Sequence, residues 1–153
     1  MRKTVTPLLL AATLVAGVVA SAQASGKDLP AGPIHDRYEL MEGIGDNAKV
    51  IGDALKSGKH DPIADAAKAI QADAAKALPL FPKGSTHPNS RAKDEIWSDW
   101  AKFEKINKEL ETRAGELAAT ATAGGNVGKA ADAMFGTCKT CHDSFRKPEE
   151  KKH

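Results

Sequence analysis

The chain has 153 residues, of which 41% are hydrophobic and only 5% aromatic, with 22 Lys and Arg against 20 Asp and Glu. No basic tract is interleaved with aromatic residues, which argues against nucleic-acid binding. The length fits a single domain with a core of modest size.

The first 24 residues have the pattern of a cleaved export signal. Arg2 and Lys3 form a positive n-region, residues 8–20 are almost entirely apolar, and Ala22-Gln23-Ala24 is an A-x-A cleavage site. The apolar run is short for a membrane span, so we expect cleavage after Ala24 and no membrane span in the mature chain, residues 25–153. Loss of the two n-region cations leaves 20 basic against 20 acidic residues. The expected location is an oxidising compartment, the periplasm of a Gram-negative source.

Helical periodicity marks four segments, which span about residues 34–55, 62–78, 94–121 and 126–146. Ser57-Gly58 ends the first segment, and Asp61 before Pro62 suits an N-cap for the second. A loop rich in proline and glycine, residues 80–93, separates the second and third segments. No segment alternates usefully with period two. The sequence therefore predicts an all-α fold, an antiparallel four-helix bundle.

The last predicted helix carries both cysteines of the chain. Its apolar seam recurs at alternating spacings of four and three, through Val127, Ala131, Met134, Cys138, Cys141 and Phe145. Cys138-Lys139-Thr140-Cys141-His142 is a C-x-x-C-H motif, which is typical of covalent c-type haem attachment. Two thiols three positions apart on a helix can each form a thioether with a haem vinyl group, and His142 can then bind the iron as proximal ligand. One covalent haem c is therefore predicted.

Other uses of two cysteines fit less well. A structural zinc site needs four ligands, and the chain has no second Cys/His pair. A thioredoxin-like motif belongs in a βαβ context, and a disulfide across one helical turn has poor geometry.

With these features the chain resembles class II c-type cytochromes, the cytochrome c′ and c-556 family. The resemblance covers nearly all of the mature chain. It rests on the C-terminal motif through Arg146, on Arg37-Tyr38-Glu39-Leu40-Met41, and on Ile96-Trp97-Ser98-Asp99. The resemblance implies a four-helix bundle in which a side chain of the first helix faces the open side of the haem, and Met41 stands at that position.

Two branches of the family differ at that side chain. In the low-spin c-556 branch a methionine binds the iron, and the surroundings of Met41 are closer to that branch. Met41 is accordingly the expected distal ligand, because Met134 lies on the same helix as His142. His35, His60, His87 and His153 are interpreted as surface histidines. Arg37, for a haem propionate, and Arg146, beside the proximal imidazole, are expected in the haem environment.

The leading functional hypothesis is a periplasmic electron carrier without enzymatic activity, with iron bound by His142 and Met41 and with unidentified redox proteins as partners. The alternative is a high-spin, five-coordinate cytochrome c′ that binds NO or CO beneath Met41. A homodimer through the first two helices is permitted by the family pattern and is not required by the sequence.

Overall fold

The computed structural model describes residues 28–148, which contain four long α-helices, one single-turn α-helix and a 3-10 turn at Leu78–Leu80. The helices are α1, Pro33–Ser57; α2, Ile63–Ala77; α3, Glu95–Ser98; α4, Trp100–Ala123; and α5, Val127–Phe145. The predicted all-α four-helix bundle is confirmed. α1 packs on α2, α2 on α4 and α4 on α5, whereas α1 and α5 touch at few positions.

The chain ends two of its long helices with glycine. Gly58 and Gly124 have φ angles of 70° and 72°, a left-handed conformation that glycine adopts without a steric penalty. Asn126 begins α5, with its side-chain oxygen accepting the Lys129 N–H at 3.0 Å. The N-cap expected from Asp61 was wrong, because α2 begins at Ile63 without a side-chain cap.

The third predicted helix is interrupted near its start. Asp99 has non-helical dihedrals, φ −126° and ψ 51°, and separates α3 from α4. In α3, the indole N–H of Trp97 donates to the carbonyl of Phe81 at 3.1 Å. The first turn of the predicted third helix is therefore a separate short helix, α3, which is hydrogen-bonded to the loop that precedes it.

Buried side chains form two adjoining groups. The main core lies between the four long helices and includes the fully buried Ile51, Ile70, Leu117 and Met134. The second group, here the aromatic cluster, consists of Phe81, Ile96, Phe103, Ile106 and Phe145. Its rings meet edge to face, with centroids 4.8 Å apart for Phe81–Phe103 and 5.3 Å for Phe103–Phe145. The aromatic cluster thus lies beside the end of α5 that carries the cysteines.

The loop before α3 pairs with the segment that follows α5. Ala92 and Arg146 form an isolated antiparallel bridge, in which the Lys93 N–H donates to Phe145 O at 3.0 Å and the Lys147 N–H donates to Arg91 O at 2.8 Å. The loop is thereby fixed against the C-terminal end of the motif-bearing helix.

Among residues 28–148, no helix combines the length and the apolar character needed to cross a membrane. The predicted signal peptide, residues 1–24, and the last five residues lie outside the described part.

Candidate haem site

The motif occupies the last two turns of α5. Cys138, Cys141 and His142 are all half-buried, and Cys141 packs against the aromatic cluster. The predicted seam is buried at Val127, Ala131, Met134 and Phe145, so the two thiols continue the inward face of the helix. Both cysteines therefore lie on the side of α5 that faces the bundle.

Burial determines the protonation of the two thiols. It raises the pKa of the Cys138 thiol, and it raises that of Cys141 to about 11, with Cys138 adding to the shift and the Arg146 cation opposing it. Both groups are therefore thiols, not thiolates, at neutral pH in the folded chain. Redox-active cysteines need the opposite environment, one that lowers the thiol pKa.

His142 lies in the wall of a cleft at the C-terminal end of α5. This cleft, here the proximal cleft, has a volume of about 490 Å³ and is lined by Arg91, Lys93, His142, Asp143, Arg146, Lys147 and Pro148. Burial lowers the pKa of His142, the cations of Arg146 and Arg91 lower it further, and Asp143 opposes them. The imidazole is therefore neutral near pH 7, the form that binds a metal.

These residues fit a covalently bound haem. Two protonated thiols share one helical face, a neutral imidazole follows them, and α1 and α5 make little contact across the bundle. Within residues 28–148 no group of three or more His, Cys, Asp or Glu side chains could hold a metal ion without the haem. Cys138 and Cys141 would hold the macrocycle, and His142 would bind its iron.

Met41 occupies the middle of the first half of α1. It is partly buried and packs against both the main core and the aromatic cluster, the same cluster that Cys141 contacts. The structure thus brings Met41 and the motif to the same end of the bundle. Whether its sulfur binds iron stays a prediction.

Arg37, one turn before Met41, makes contacts that the sequence did not predict. It is only 4% exposed. Nη1 donates to Ser85 Oγ at 2.7 Å and to Leu80 O at 3.4 Å; Nη2 donates to Ser85 O at 2.7 Å and to Ser90 Oγ at 3.1 Å. The guanidinium also lies 5.0 Å from the centroid of the Phe81 ring. In this structure Arg37 therefore anchors the loop between α2 and α3, and a propionate contact stays a prediction.

Arg146 and His60 are exposed, and His35 and His87 are partly exposed. Arg146 is exposed and shares the proximal cleft with His142, and its influence on the haem stays a prediction. His60 is exposed, and His35 lies 3.8 Å from carboxylate oxygens of Asp36 and Glu39. His87 accepts the Asn89 N–H at 3.2 Å, and His153 lies outside the described residues.

Sequence reasoning missed the loop residues of the site. Ser85 and Ser90 bind Arg37, while Arg91 and Lys93 line the proximal cleft. No local pattern marks them, because each acquires its partner from the way the loop lies against α1 and the end of α5. The prolines and glycines of residues 80–93 predicted a loop but not its contacts.

Comparison with known proteins gives a consistent result. The family described as Cytochrome C' matches residues 32–146. The cytochrome c′ of Rhodospirillum rubrum is 35% identical over 123 residues, 76% of this chain and 83% of that protein. The cytochrome c′ of Pararhodospirillum photometricum is also 35% identical over 123 residues, 76% of this chain and 98% of that protein.

Solved structures agree with the sequence comparison. A cytochrome c′ from Shewanella frigidimarina has a TM-score of 0.70 at 25% identity, covering 81% of this chain and 98% of that one. A cytochrome c′ with ligand-controlled dimer dissociation gives the same four values. A ferrous variant of the Alcaligenes xylosoxidans protein with bound NO has a TM-score of 0.64 at 22% identity, covering 79% of this chain and 100% of that one, and shows the shared fold.

These matches do not separate the c-556 branch from the rest of the family. Members of the family are non-enzymatic, periplasmic haem proteins, and they include dimers. The predictions of no enzymatic activity and of one covalent haem c, held by Cys138 and Cys141, are confirmed. A bundle whose last helix ends in C-x-x-C-H, matched over residues 32–146, belongs to the cytochrome c′ family of class II c-type cytochromes.

Proposed function

We propose that this haem protein binds a diatomic gas, NO or CO, on the side of the haem that Met41 faces. The relatives at 34–35% identity are all cytochrome c′ proteins, and the fold accommodates NO in the Alcaligenes xylosoxidans protein. This proposal adopts the alternative that the sequence left second. The Met41–iron bond of the preferred electron-carrier hypothesis has no support from the comparisons.

One structural observation supports Met41 as a cover over the distal side. The side chain packs against apolar residues of two clusters and is only partly buried, which suits an unbranched residue that fills a gap and can move aside. Its neighbours Leu40 and Ile44 are also apolar, so α1 offers a ligand no hydrogen-bond donor at these positions. Apolar lining favours a small neutral gas over water or anions.

When bound, the haem would supply the redox change and a coordination position for the gas. His142 would supply an imidazole nitrogen to the iron, and burial and the Arg146 and Arg91 cations keep that imidazole neutral. Cys138 and Cys141 fix the orientation of the macrocycle, and the aromatic cluster excludes water beside Cys141.

Absorption spectra of the haem-loaded protein with and without CO test this function. We expect a high-spin ferrous spectrum for the wild type, with ready CO binding. In Met41→Ala the spin state should stay the same and CO association should become faster, because a steric cover has been removed. Leu55→Ala, a truncation near the other end of α1 that also borders the main core, is the matched control and should leave the rate within about threefold of wild type.

A different result would restore the electron-carrier hypothesis. If wild type is low-spin and takes up CO slowly, and Met41→Ala turns high-spin with a lower reduction potential, then Met41 is an iron ligand.

Export and processing form the second part of the proposal. Residues 1–24 act as a signal peptide, and residues 25–153 are the mature periplasmic protein, in keeping with the periplasmic location of the family. The mass of the haem-loaded protein recovered from the periplasm tests cleavage after Ala24, since an anchored chain would retain its N-terminus and stay with the membranes.

Pairing of two copies through α1 and α2 is the third part. Val50 on α1 is 42% exposed, and among residues 28–148 no other large hydrophobic residue is exposed. Exposed Ala72 and Ala75 on α2 leave room for close helix contact. Val50→Glu should shift a dimer towards monomer in sedimentation velocity, whereas a wild type that sediments as a monomer at high concentration would exclude this interface.

A further inference from the structure

Two tight turns shape the loop between α2 and α3. In the first, the Ser85 N–H donates to Pro82 O at 3.1 Å, and Gly84 has a φ of 76°, a left-handed value that glycine adopts easily at the third position of a turn. In the second, the Ser90 N–H donates to His87 O at 2.9 Å. These bonds are local, so they fix the shape of each turn and not the position of the loop against the helices.

One side chain of α1 connects the two turns. Arg37 donates to Ser85 Oγ and to Ser85 O, both at 2.7 Å, and to Ser90 Oγ at 3.1 Å. Among residues 28–148, four polar or charged side chains are buried, and those of Arg37 and Ser90 are two of them. A single guanidinium group therefore ties both halves of the loop to α1.

The same arginine holds Phe81, near the start of the loop. The guanidinium carbon lies 5.0 Å from the centroid of the Phe81 ring, and Nη1 donates to the carbonyl of Leu80 at 3.4 Å. The Phe81 ring also meets Phe103 edge to face, and the Phe81 carbonyl accepts the indole N–H of Trp97. The ring and the backbone of Phe81 are thus both held in place, and Phe81 is only 7% exposed.

Met41 lies beside the residues that Arg37 holds. It follows Arg37 by one turn on α1 and packs against the aromatic cluster, which includes Phe81. Leu80 and Cys141 pack against the same cluster. The loop therefore brings Leu80 and Phe81 to the cluster that joins Met41 to a haem-binding cysteine, and Arg37 fixes both residues from the helix that carries Met41.

We propose that Arg37 is a positioning residue for gas entry. By tying residues 80–90 to α1, it holds Leu80 and Phe81 beside Met41, and these three apolar side chains together form the barrier that NO or CO passes on its way to the haem. A gas enters when a part of this barrier moves, so a loosened loop admits it faster. This inference rests on the proposed gas binding and adds the loop and Arg37 to the residues that control it.

Flash photolysis of the ferrous CO complex of the haem-loaded protein tests this role, because it follows both the escape of CO and its return. Arg37→Gln removes the contact from α1, and Ser85→Ala combined with Ser90→Ala weakens it from the loop. We expect CO association to become about three- to tenfold faster in the first variant and at least about twofold faster in the second. The escaping fraction of photolysed CO should rise in both variants, since one barrier governs both directions.

Two further variants identify the cause of the faster entry. Arg37→Lys keeps the positive charge but loses the planar fork of N–H donors, so its rate should match that of Arg37→Gln within about twofold. A triple variant with Arg37→Gln, Ser85→Ala and Ser90→Ala should be no faster than Arg37→Gln alone, because both sides of one contact have been removed.

Leu117→Ala is the matched control for lost stability. Leu117 is fully buried in the main core, about four turns beyond Phe103 on α4. Its truncation leaves a cavity that destabilises the bundle but keeps the loop contacts, so CO association should stay within about twofold of wild type. Urea unfolding compares the stability of this control with that of Arg37→Gln.

Equal acceleration in Leu117→Ala would show that lower stability alone admits the gas, and it would overturn the proposal. Unchanged CO rates in the loop variant would overturn it as well, and this mild variant decides the matter if Arg37→Gln does not fold. A wild type that fails to bind CO would contradict the proposed gas binding itself. A wild type that binds CO readily, with unchanged rates in the variants, would contradict only the positioning role of Arg37.

Discussion

Arg37 carries a buried positive charge whose hydrogen bonds all go to neutral oxygens. Burial lowers the pKa of this arginine, yet guanidinium is so strong a base that the charge remains. Three acceptors belong to Ser85 and Ser90, and the fourth is the carbonyl of Leu80. The planar guanidinium group can donate to all four oxygens at once, and a lysine ammonium group cannot.

Arg37→Gln should therefore destabilise the haem-loaded protein by about 2–4 kcal/mol, since loop oxygens lose buried partners. Arg37→Lys should fail to restore full stability, because it keeps the charge and loses the fork. Urea unfolding followed at the haem absorption band measures both. Arg113→Gln, which removes a more exposed arginine with surface ion pairs, is the control and should cost no more than about 1 kcal/mol.

A double-mutant cycle between Arg37 and the loop distinguishes a loop-anchoring role of Arg37 from a contact with a haem propionate. If Arg37 holds the loop, then Ser90→Ala combined with Arg37→Gln should cost less than the sum of the two single changes. Additive effects would instead indicate that Arg37 turns to another partner, such as a propionate, in the haem-loaded protein.

The sequence correctly placed Arg37 on the same face of α1 as Met41, but it did not predict the hydrogen-bond partners of Arg37. Arg37 and Met41 are four residues apart, so helical periodicity alone places them together. The serines lie 48 and 53 residues further along the chain, in a loop whose path no local pattern determines. In contrast, Cys138, Cys141 and His142 form a continuous motif and needed no tertiary information.

At the scale of elements, the C-terminal ends of the four long helices lie within two residues of the predicted ends. Gly58 and Gly124 close α1 and α4 within two or three residues of the predicted ends. Asp99 carries no such signal, because aspartate is tolerated in helices, and the break there depends on contacts such as that of Trp97 with Phe81 O. The separation of α3 from α4 is thus a tertiary effect that local periodicity cannot report.

The contact between α2 and α4 contains one buried amide. Asn107 is 7% exposed, and its Nδ2 donates to Ala74 O at 2.9 Å. Among the described residues, no buried side-chain polar atom lacks a hydrogen-bond partner. The amide therefore sets the register of two helices with nothing left unsatisfied.

Asn107→Asp should make stability depend on pH in a predictable direction. A buried carboxylate would face the Ala74 carbonyl, so folding should raise the pKa of the new carboxyl above its unfolded value near 4. The protonated acid can still donate to the carbonyl, so most of the stability should remain below the unfolded pKa. It should be lost as the pH rises from there through the folded pKa. At neutral pH we expect a cost of about 2–4 kcal/mol in urea unfolding.

Asn107→Leu is the control for this change, since it removes the hydrogen bond without adding a titrating group. Its stability should fall by a similar or smaller amount and should follow the pH dependence of the wild type. An Asn107→Asp protein with the wild-type pH dependence would mean that the site admits water.

At the scale of the whole molecule, the long helices pack closely on three sides of the bundle, as the pairs α1–α2, α2–α4 and α4–α5. On the fourth side, α1 and α5 make few contacts. α1 reaches α4 and α5 mainly by way of α2, and its direct contact with α5 is sparse. A haem attached to Cys138 and Cys141 would occupy that fourth side and bridge the two helices. Its contribution to stability should accordingly be uneven across the fold.

Hydrogen exchange of a haem-free double variant, Cys138→Ala and Cys141→Ala, tests this asymmetry. Amides in the first half of α1, around Met41, and in the last turns of α5 should exchange at least about tenfold faster than in the haem-loaded wild type. Amides of α2 and α4 should keep more of their protection, because Ala74, Ala114 and Leu117 are fully buried between protein side chains. Thr140→Ala, an exposed change inside the motif, keeps both thiols and should retain the wild-type pattern. A uniform loss of protection would show that the haem is needed for the entire bundle to fold, and unchanged protection would show that it does not lie between α1 and α5.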